Sequence, residues 1–454
     1  MPKKKTALTI EERLQQALVP AEEQPYEVPE NWVWVYGKNI FMPMESRKPD
    51  GEDFYYIDID AIDNKNQVVT EAKKIKTAQA PSRASRKLHT GDTVFSLVRP
   101  YLKNIAYIDV QLSDCIASTG FFVCTPNAAL NDKYLYRLMV SSYVVDGLNK
   151  HMKGDNSPSI RKDDIENYPF PLPPLSEQQH IVERIEELFA KLDEAKERLQ
   201  EVADSFAVRK AAILHKAFTG ELTKQWRREN GVSDESWEEK KLGEVGSWLG
   251  GGTPSTSREE YWENGNILWI TSKDMKSAVI EDTLMKVNEI GVKNSSANYI
   301  EKPALLVVMR SGILRRTFPV AMVKKPFTVN QDLKAIVPDK DDLEFLFWML
   351  LSNERRILDS CMKNGTTVES INSNALKAFA FKCPTLPEQH EIVRLVDDLL
   401  ARERAAQQAA EQALASIDLM KKSILARAFR GELGTNKASE ANALELLRQV
   451  LAEN

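Results

Sequence analysis

The longest-range order in this chain is a heptad stripe. Ile181, Ile185, Leu188, Leu192, Ala195, Leu199, Val202 and Phe206 follow one another at alternating spacings of four and three. Such a run, about four heptads long, exceeds what one amphipathic helix needs and predicts a coiled-coil seam. A second stripe carries Ile392, Val396, Leu399, Glu403, Ala406, Ala410, Ala413, Ile417, Met420 and Ile424. Its middle is small where the first is large, so Leu192 and Leu199 find a shallow alanine surface opposite. The pattern predicts two helices, over 176–218 and 388–429, paired antiparallel, with Glu403 an interruption in the second seam. The competing reading is two separate helices, each lying on its own domain. Upstream of each stripe the pattern changes to short runs rich in aromatic and β-branched residues, which predict strands. They are Asn31–Tyr36, Phe54–Ile59, Thr93–Arg99 and Gly120–Cys124 in the first half, and Ile267–Thr271, Leu305–Arg310 and Leu333–Val337 in the second.

The two halves are copies. Pro173, Leu175, Glu177, Gln178, Ile181 and Val182 reappear as Pro384, Leu386, Glu388, Gln389, Ile392 and Val393. Ala217–Phe218 and Gly220–Glu221–Leu222 reappear as Ala428–Phe429 and Gly431–Glu432–Leu433, at a constant offset of 211 (384 − 173, 433 − 222). Fainter echoes join Arg99 to Arg310, Gly154 to Gly365, Ser159–Ile160 to Ser370–Ile371 and Phe170 to Phe381. A period this long is a duplicated domain with its helix, since solenoid repeats run at about 20–50 residues. The expected organisation is an N-terminal helical segment (1–25, with a Thr9/Glu12 capping box), a first globular domain (26–170) and a first long helix (171–223). A polar linker (224–236), a second domain (237–381), a second long helix (382–434) and an amphipathic C-terminal helix (435–454, with Leu444, Leu447 and Leu451 on one face) complete it. Gly220 is expected as the left-handed residue closing the first helix. The fold class is α/β (α+β): two globular domains separated by two long antiparallel coiled-coil helices. At 1.5 Å per residue a helix of about 42 residues spans roughly 60 Å and acts as a spacer.

Composition changes this picture little. Of 454 residues, 43% are hydrophobic, enough for sizeable cores. Four cysteines at 115, 124, 361 and 383 form no C-x-x-C and are expected as reduced core residues. His180 and His390 fall at adjacent, not equivalent, positions of the two copies, which argues against a ligand role. Lys3–Lys4–Lys5 is followed by no apolar h-region, and no run of 18 apolar residues occurs, so neither a signal peptide nor a membrane span is expected.

Charge matters through its distribution. The net charge of −5 argues mildly against a nucleic-acid binder. Yet Lys65, Lys73, Lys74, Lys76, Arg83, Arg86 and Lys87 stand against the single acid Glu71 within 65–87, and Arg310, Arg315, Arg316, Lys324 and Lys325 stand with no acid within 310–325. The helices are acidic, with Glu183, Glu186, Glu187, Asp193, Glu194, Glu197 and Glu201. Basic loops on an acidic frame focus a polyanion onto the loops. The candidate DNA-binding residues are Lys73, Lys74, Lys76, Arg83, Arg86, Lys87, Arg99 and Lys103 in the first domain. In the second they are Ser255, Lys273, Arg310, Arg315, Arg316, Lys324 and Lys325. Candidate subunit and helix interfaces are Ile181, Ile185, Leu188, Leu192, Leu199 and Phe206, with Ile392, Val396, Leu399, Ala406, Ala410 and Ile417.

Catalytic constellations are wanting. Asn167–Tyr168–Pro169–Phe170 differs from the Asn-Pro-Pro-Tyr/Phe loop of amino-methyltransferases at its second residue and reads as a strand leading into the helix. Pro49–Asp50 with Glu71–Ala72–Lys73 has nuclease-like spacing that the second copy does not repeat. Gly250–Gly251–Gly252–Thr253–Pro254–Ser255 lacks the Lys-Ser/Thr of a P-loop and reads as a mobile loop at a domain edge.

Two variable domains, each followed by a Pro-rich Leu-x-Glu-Gln segment, a heptad helix and an Ala-Phe-x-Gly-Glu-Leu terminus, resemble the specificity subunit of type I restriction–modification enzymes. Pro173–Pro174–Leu175–Ser176–Glu177–Gln178 and Pro384–Thr385–Leu386–Pro387–Glu388–Gln389 carry the match, with Gly251–Gly252–Thr253–Pro254–Ser255, Tyr261–Trp262 and Trp269–Ile270 opening the second domain. The first domain lacks that opening. The resemblance implies a cytoplasmic, non-catalytic subunit whose target-recognition domains each read half of a bipartite, asymmetric site on double-stranded DNA. The helices would set the gap, with the domains about one DNA turn (roughly 34 Å) apart. They would also dock two modification (methyltransferase) subunits, joined for cleavage by restriction/translocase subunits. This chain would bind no cofactor or metal; S-adenosylmethionine, ATP and Mg2+ would belong to its partners. The alternatives are a stand-alone nuclease or DNA methyltransferase, and a coiled-coil scaffold that binds no DNA.

Overall fold

The computed structural model describes residues 8–363, 368–437 and 441–453; Lys3–Lys5 and Gly365 lie outside them. The chain divides into two compact units, residues 1–199 with 412–454, and residues 200–411. Neither coincides with a sequence repeat. Each takes one domain, the first half of the helix that follows it and the second half of the other helix.

In the first unit, Lys73–Lys76, Asp53–Ile57, Ile116–Ser118 and Ala84–Lys87 form a four-stranded sheet in that order. Its central pair is parallel, with Tyr56 opposite Ile116. An antiparallel sheet places Thr93–Ser96 between Phe121–Cys124 and Ile105–Tyr107. Every residue of Thr93–Ser96 is buried, as a central strand covered on both faces requires. A ribbon of Val33–Tyr36 with Pro169–Leu172 leads into the long helix.

The second unit repeats this plan. Met285–Val287, Ile267–Ile270 and Phe327–Val329 form a sheet with the same parallel pair, Leu268 opposite Phe327. Ala304–Val308 lies between Leu333–Pro338 and Val320–Val323, with Gly246–Leu249 as an added edge. Glu238–Lys241 and Ala380–Cys383 form the ribbon. The two domains therefore share one topology although only the second carries the Gly-Gly-Thr-Pro-Ser segment. Two expected loops are strands instead: Lys73–Lys76 and Ala84–Lys87 pair with distant partners whose ladders outweigh their polar composition.

The first long helix runs Leu175–Asp204 and resumes as Phe206–Phe218. Ser205 between them keeps right-handed helical angles (φ −77°, ψ −4°). The second is continuous over Leu386–Ala428, starting ahead of the expected Glu388 because Pro387 occupies the first turn, where its missing N–H costs nothing. Gly220 and Gly431 both take left-handed angles (φ +76° and +75°) just past the helix ends.

Antiparallel pairing is visible within each unit. In the first, Lys421 meets Asp193 and lies over the Phe189 ring. In the second, Arg209 donates to Glu403. The one charge on the expected seam thus finds a cation on the facing helix. Ile181 and Ile185 are buried in the first domain's core together with Leu425 and Ala428; Ile392 and Val396 are buried in the second's with Leu214 and Ala217. The first turns of each helix therefore lie on the preceding domain, as the competing reading had it, while the rest pairs with the other helix. Ala410 and Ile417 are buried, and Leu188, Leu192, Leu199, Phe206 and Leu399 are half-buried. Val202 and Ala406 are exposed, and Phe189 and Leu400 are more buried than their heptad neighbours Leu188 and Leu399. Helix-on-domain packing follows the 3.6-residue period, so the 3.5-residue pattern drifts off the buried face.

The terminal segments meet in the first unit. Thr9 and Glu12 form the expected capping box on Ile10–Ala17. Leu447, Val450 and Leu451 of Ala443–Glu453 join Leu14 and Ala17 in its core, and Arg448 pairs with Glu11 at 3.3 Å.

Candidate nucleic-acid interface

The basic clusters are less naked than their sequence suggests. Lys73 pairs with Asp60 (2.5 Å), Lys74 with Asp53 (3.0 Å) and Lys87 with Glu45 (2.6 Å). In the second domain Arg310 pairs with Asp332 (2.8 Å), Arg315 with Glu369, Lys324 with Glu344 (2.6 Å) and Lys325 with Glu281 (2.7 Å). The acids are brought by segments outside the clusters, Glu344 from the first turn of the helix Leu343–Ser352. All these pairs are at least partly solvent-exposed, where water screens them and they hold weakly, so a phosphate can displace the carboxylate. Lys76, Arg83, Arg86, Lys103, Lys273 and Arg316 make no ion pair with a described residue. Arg99 donates to the Asn156 carbonyl (2.9 Å).

Strand pairing adds a residue the sequence reading passed over. Tyr55 sits directly opposite Lys74 and is exposed. Tyr55 and Lys74 together place an exposed aromatic ring beside a cation on one face of the sheet, where the cation can meet a phosphate. Only the pairing of 53–57 with 73–76 brings the two together.

The Gly-rich segment of the second domain is pinned, contrary to the mobile loop expected. The Trp269 indole N–H donates to Gly252 O (3.1 Å), Asn298 to Gly250 O (2.5 Å) and Thr253 to Gln331 (2.9 Å). A Cβ on Gly251 would meet Val329 O at 1.9 Å, so the glycine permits close backbone approach. Ser255 shares a hydrogen bond with Ser257 (2.8 Å) and, with Thr253, Arg258, Tyr261 and Asn294, lines a shallow polar depression of about 530 Å³.

The repeated Glu-Gln pair is structural. Gln178 accepts from Asn131 N (2.7 Å) and donates to Ala129 O (2.9 Å) and Pro173 O (2.8 Å). Gln389 accepts from Asp342 N (2.8 Å) and donates to Asp341 Oδ1 and Pro384 O (both 3.0 Å). Asn131 and Asp342 are the N-caps of equivalent helices, Asp132–Met139 and Leu343–Ser352. Each glutamine thus latches a long helix to its own domain. Glu388, fully buried, accepts from Arg227 and Thr223 (both 2.7 Å), while Glu177 accepts from Thr435 (2.7 Å). The repeat at constant offset was the signal for this frame.

Among the described residues no cluster of three His, Cys, Asp or Glu could hold a metal. All four cysteines are free and buried, and burial with the neighbouring Asp341 pushes the Cys383 thiol up to about 12. Asn167 accepts from Lys38 (3.2 Å) and Pro169 begins a strand, so the methyltransferase-like tetrapeptide is a strand entry. No helix is long and apolar enough to cross a membrane, among the described residues.

Two domains of one topology, unlike in their exposed turns and each latched to long helices, define a double recognition module. The chain belongs to the family whose model, the type I restriction modification DNA specificity domain, matches residues 38–204 and 234–413. It is similar to the EcoDI specificity subunit of Escherichia coli, at 26% identity over 71% of this chain and 77% of that one. The EcoKI specificity subunit of E. coli K12 is 25% identical over 73% and 74%. The EcoR124I/EcoR124II subunit of E. coli matches more closely, at 40%, over 35% of this chain and 39% of its own length. The crystal structure of the HsdS subunit from Thermoanaerobacter tengcongensis superposes with a TM-score of 0.70 at 26% identity, covering 90% of this chain and all of that one. The protein is thus a specificity subunit of a type I restriction–modification system. These matches support neither a stand-alone nuclease or methyltransferase nor a scaffold that binds no DNA.

Proposed function

We propose that each domain reads one half of a bipartite, asymmetric sequence on double-stranded DNA, and that the long helices set the gap between the halves. The observation that carries this reading is the constant frame: the Gln178 and Gln389 latches repeat while the exposed turns do not. The helices also dock two copies of one modification subunit, with restriction/translocase subunits joining for cleavage. Exposed apolar residues repeat on the helices at the same offset, Leu175 with Leu386 and Val208 with Leu419, and so offer one partner two equivalent seats. This chain contributes recognition and no chemistry; S-adenosylmethionine, ATP and Mg2+ are held by the partners, in the cytoplasm. The test is methylome sequencing of a host with and without this gene. Loss of one bipartite methylated motif is the expected result, and an unchanged methylome refutes the reading.

A further inference from the structure

In each domain a central strand, Thr93–Ser96 or Ala304–Val308, continues through a short 3-10 turn into its hairpin partner. The turns are Pro100–Leu102 and Gly312–Arg315. They occupy the same place in the fold: Val98 bridges to Ser159 in the first domain, and Arg310 bridges to Ser370 in the second. Both present apolar side chains to solvent. Tyr101 and Leu102 are 45% and 39% exposed, and Ile313 is 40% exposed. Single exposed apolar residues are ordinary. These are framed by cations, Arg99 and Lys103 in one turn, Arg310, Arg315 and Arg316 in the other.

The first turn is also strained. Arg99 (φ +49°) and Lys103 (φ +58°) are both left-handed, one on each side of it. Non-glycine residues hold that conformation only where the surroundings over-determine it, and such positions gather at binding sites. Here buried Pro100 and Asn104 anchor the turn, and Arg99 N donates to Pro158 O (2.8 Å). In the second domain buried Leu314 anchors it, and Ser311 N donates to Glu369 O (3.0 Å). Arg99 and Arg310, the arginines that echo one another, bond within their own domains, to Asn156 O and Asp332, and stay exposed. The apolar side chains that follow them project beside them.

We infer that these two turns are the base-contacting elements of their domains, Tyr101 and Leu102 in one and Ile313 in the other, with Lys103 and Arg316 on the flanking phosphates. This rests on the DNA-recognition reading above. Apolar side chains read thymine methyl groups and base faces, and lysine or arginine beside them neutralises the backbone. The turns differ in residues while their supports match, as two different half-sites require.

The test uses the full chain assembled with its modification subunits. The probes are duplexes carrying the motif methylated in cells, with single-base changes in either half. The double substitution Tyr101→Ala with Leu102→Ala should lower discrimination in one half about tenfold, leaving the other half and the salt dependence unchanged. Ile313→Ala should do the same for the opposite half, and stands as an independent test should the first variant misfold. Uniform weakening on all duplexes, or unaltered discrimination, overturns the inference. If the unaltered complex fails to discriminate, the recognition reading falls as well; if it discriminates and the variants do too, only the turns are refuted. Lys103→Gly should raise Tm by about 2 °C by relieving the left-handed residue while weakening all duplexes alike. A Tm that does not rise removes the strain argument.

Discussion

Replacing Gln178 with leucine keeps the side-chain volume and deletes its polar end. The fully buried carboxamide satisfies one backbone N–H, of Asn131, and two carbonyls, of Ala129 and Pro173. A buried group left unsatisfied costs about 1–3 kcal/mol. The N–H has no second option, while a carbonyl can recover part of its loss elsewhere, so the sum is about 3–5 kcal/mol. That is a large part of the roughly 5–15 kcal/mol holding a typical domain folded. Gln389→Leu should cost the second unit a similar amount, since it strips the N–H of Asp342. Hydrogen exchange read peptide by peptide separates the two. In Gln178→Leu the helix Asp132–Met139 should exchange about 100-fold faster or more (about 1.4 kcal/mol per tenfold), with Leu343–Ser352 unchanged. Gln389→Leu should invert that pattern. A loss under about 1 kcal/mol, or equal loss of protection in both units, would refute the latch.

Arg227→Met strands the buried Glu388 carboxylate with Thr223 alone and should cost about 3–5 kcal/mol in urea unfolding; adding Glu388→Leu should restore most of it. A double variant no better than the single one contradicts that account. Seven residues inserted after both Leu199 and Ala410, close to where the compact units divide, should lengthen the helices by about 10.5 Å and widen the methylated gap by about three base pairs, with both half-sites kept. An active variant with its original gap removes the helices as the ruler, and a four-residue insertion, which breaks the heptad phase, should be less active. Burial raises the Asp92 carboxyl above the ordinary aspartate range, so its folded form favours the proton. Its stabilising contribution is present in acid and lost as pH climbs through the raised value, so the Tm advantage of Asp92→Asn should grow from acid to neutral pH; a constant difference would count against it.

Strands whose apolar runs are self-evident, such as Ala304–Val308 and Phe121–Cys124, were legible within a residue or two. So was the duplication, because the latch residues Gln178 and Gln389 stand in matching segments at one offset. Lys73–Lys76 was not, because its strand character comes from Asp53–Ile57 across the sheet and not from its own composition. The same distance in sequence hid Asp60, Asp53 and Glu45, which neutralise a cluster that looks bare when read linearly. The heptad stripe named the right helices and misjudged their buried face, since the first turns of each answer to a domain and only later turns to a helix. Tyr101, Leu102 and Ile313 carry no pattern of their own; their place follows from the strands that end before them.

The division of the long helices between units bears on the order in which this chain matures on the ribosome. The second unit is one continuous stretch and can close once residue 411 has emerged. The first cannot. Its core requires Leu425, Ala428, Phe429, Leu447 and Leu451, which follow the whole of the second unit in the chain. The domain synthesised first is therefore completed last, and through most of translation it carries an open apolar face. Domains usually mature from the N-terminus onward, and exposed apolar surface invites aggregation. Here the nascent first domain leaves that part of its core uncovered until the helical turns carrying Leu425, Ala428 and Leu447 are made.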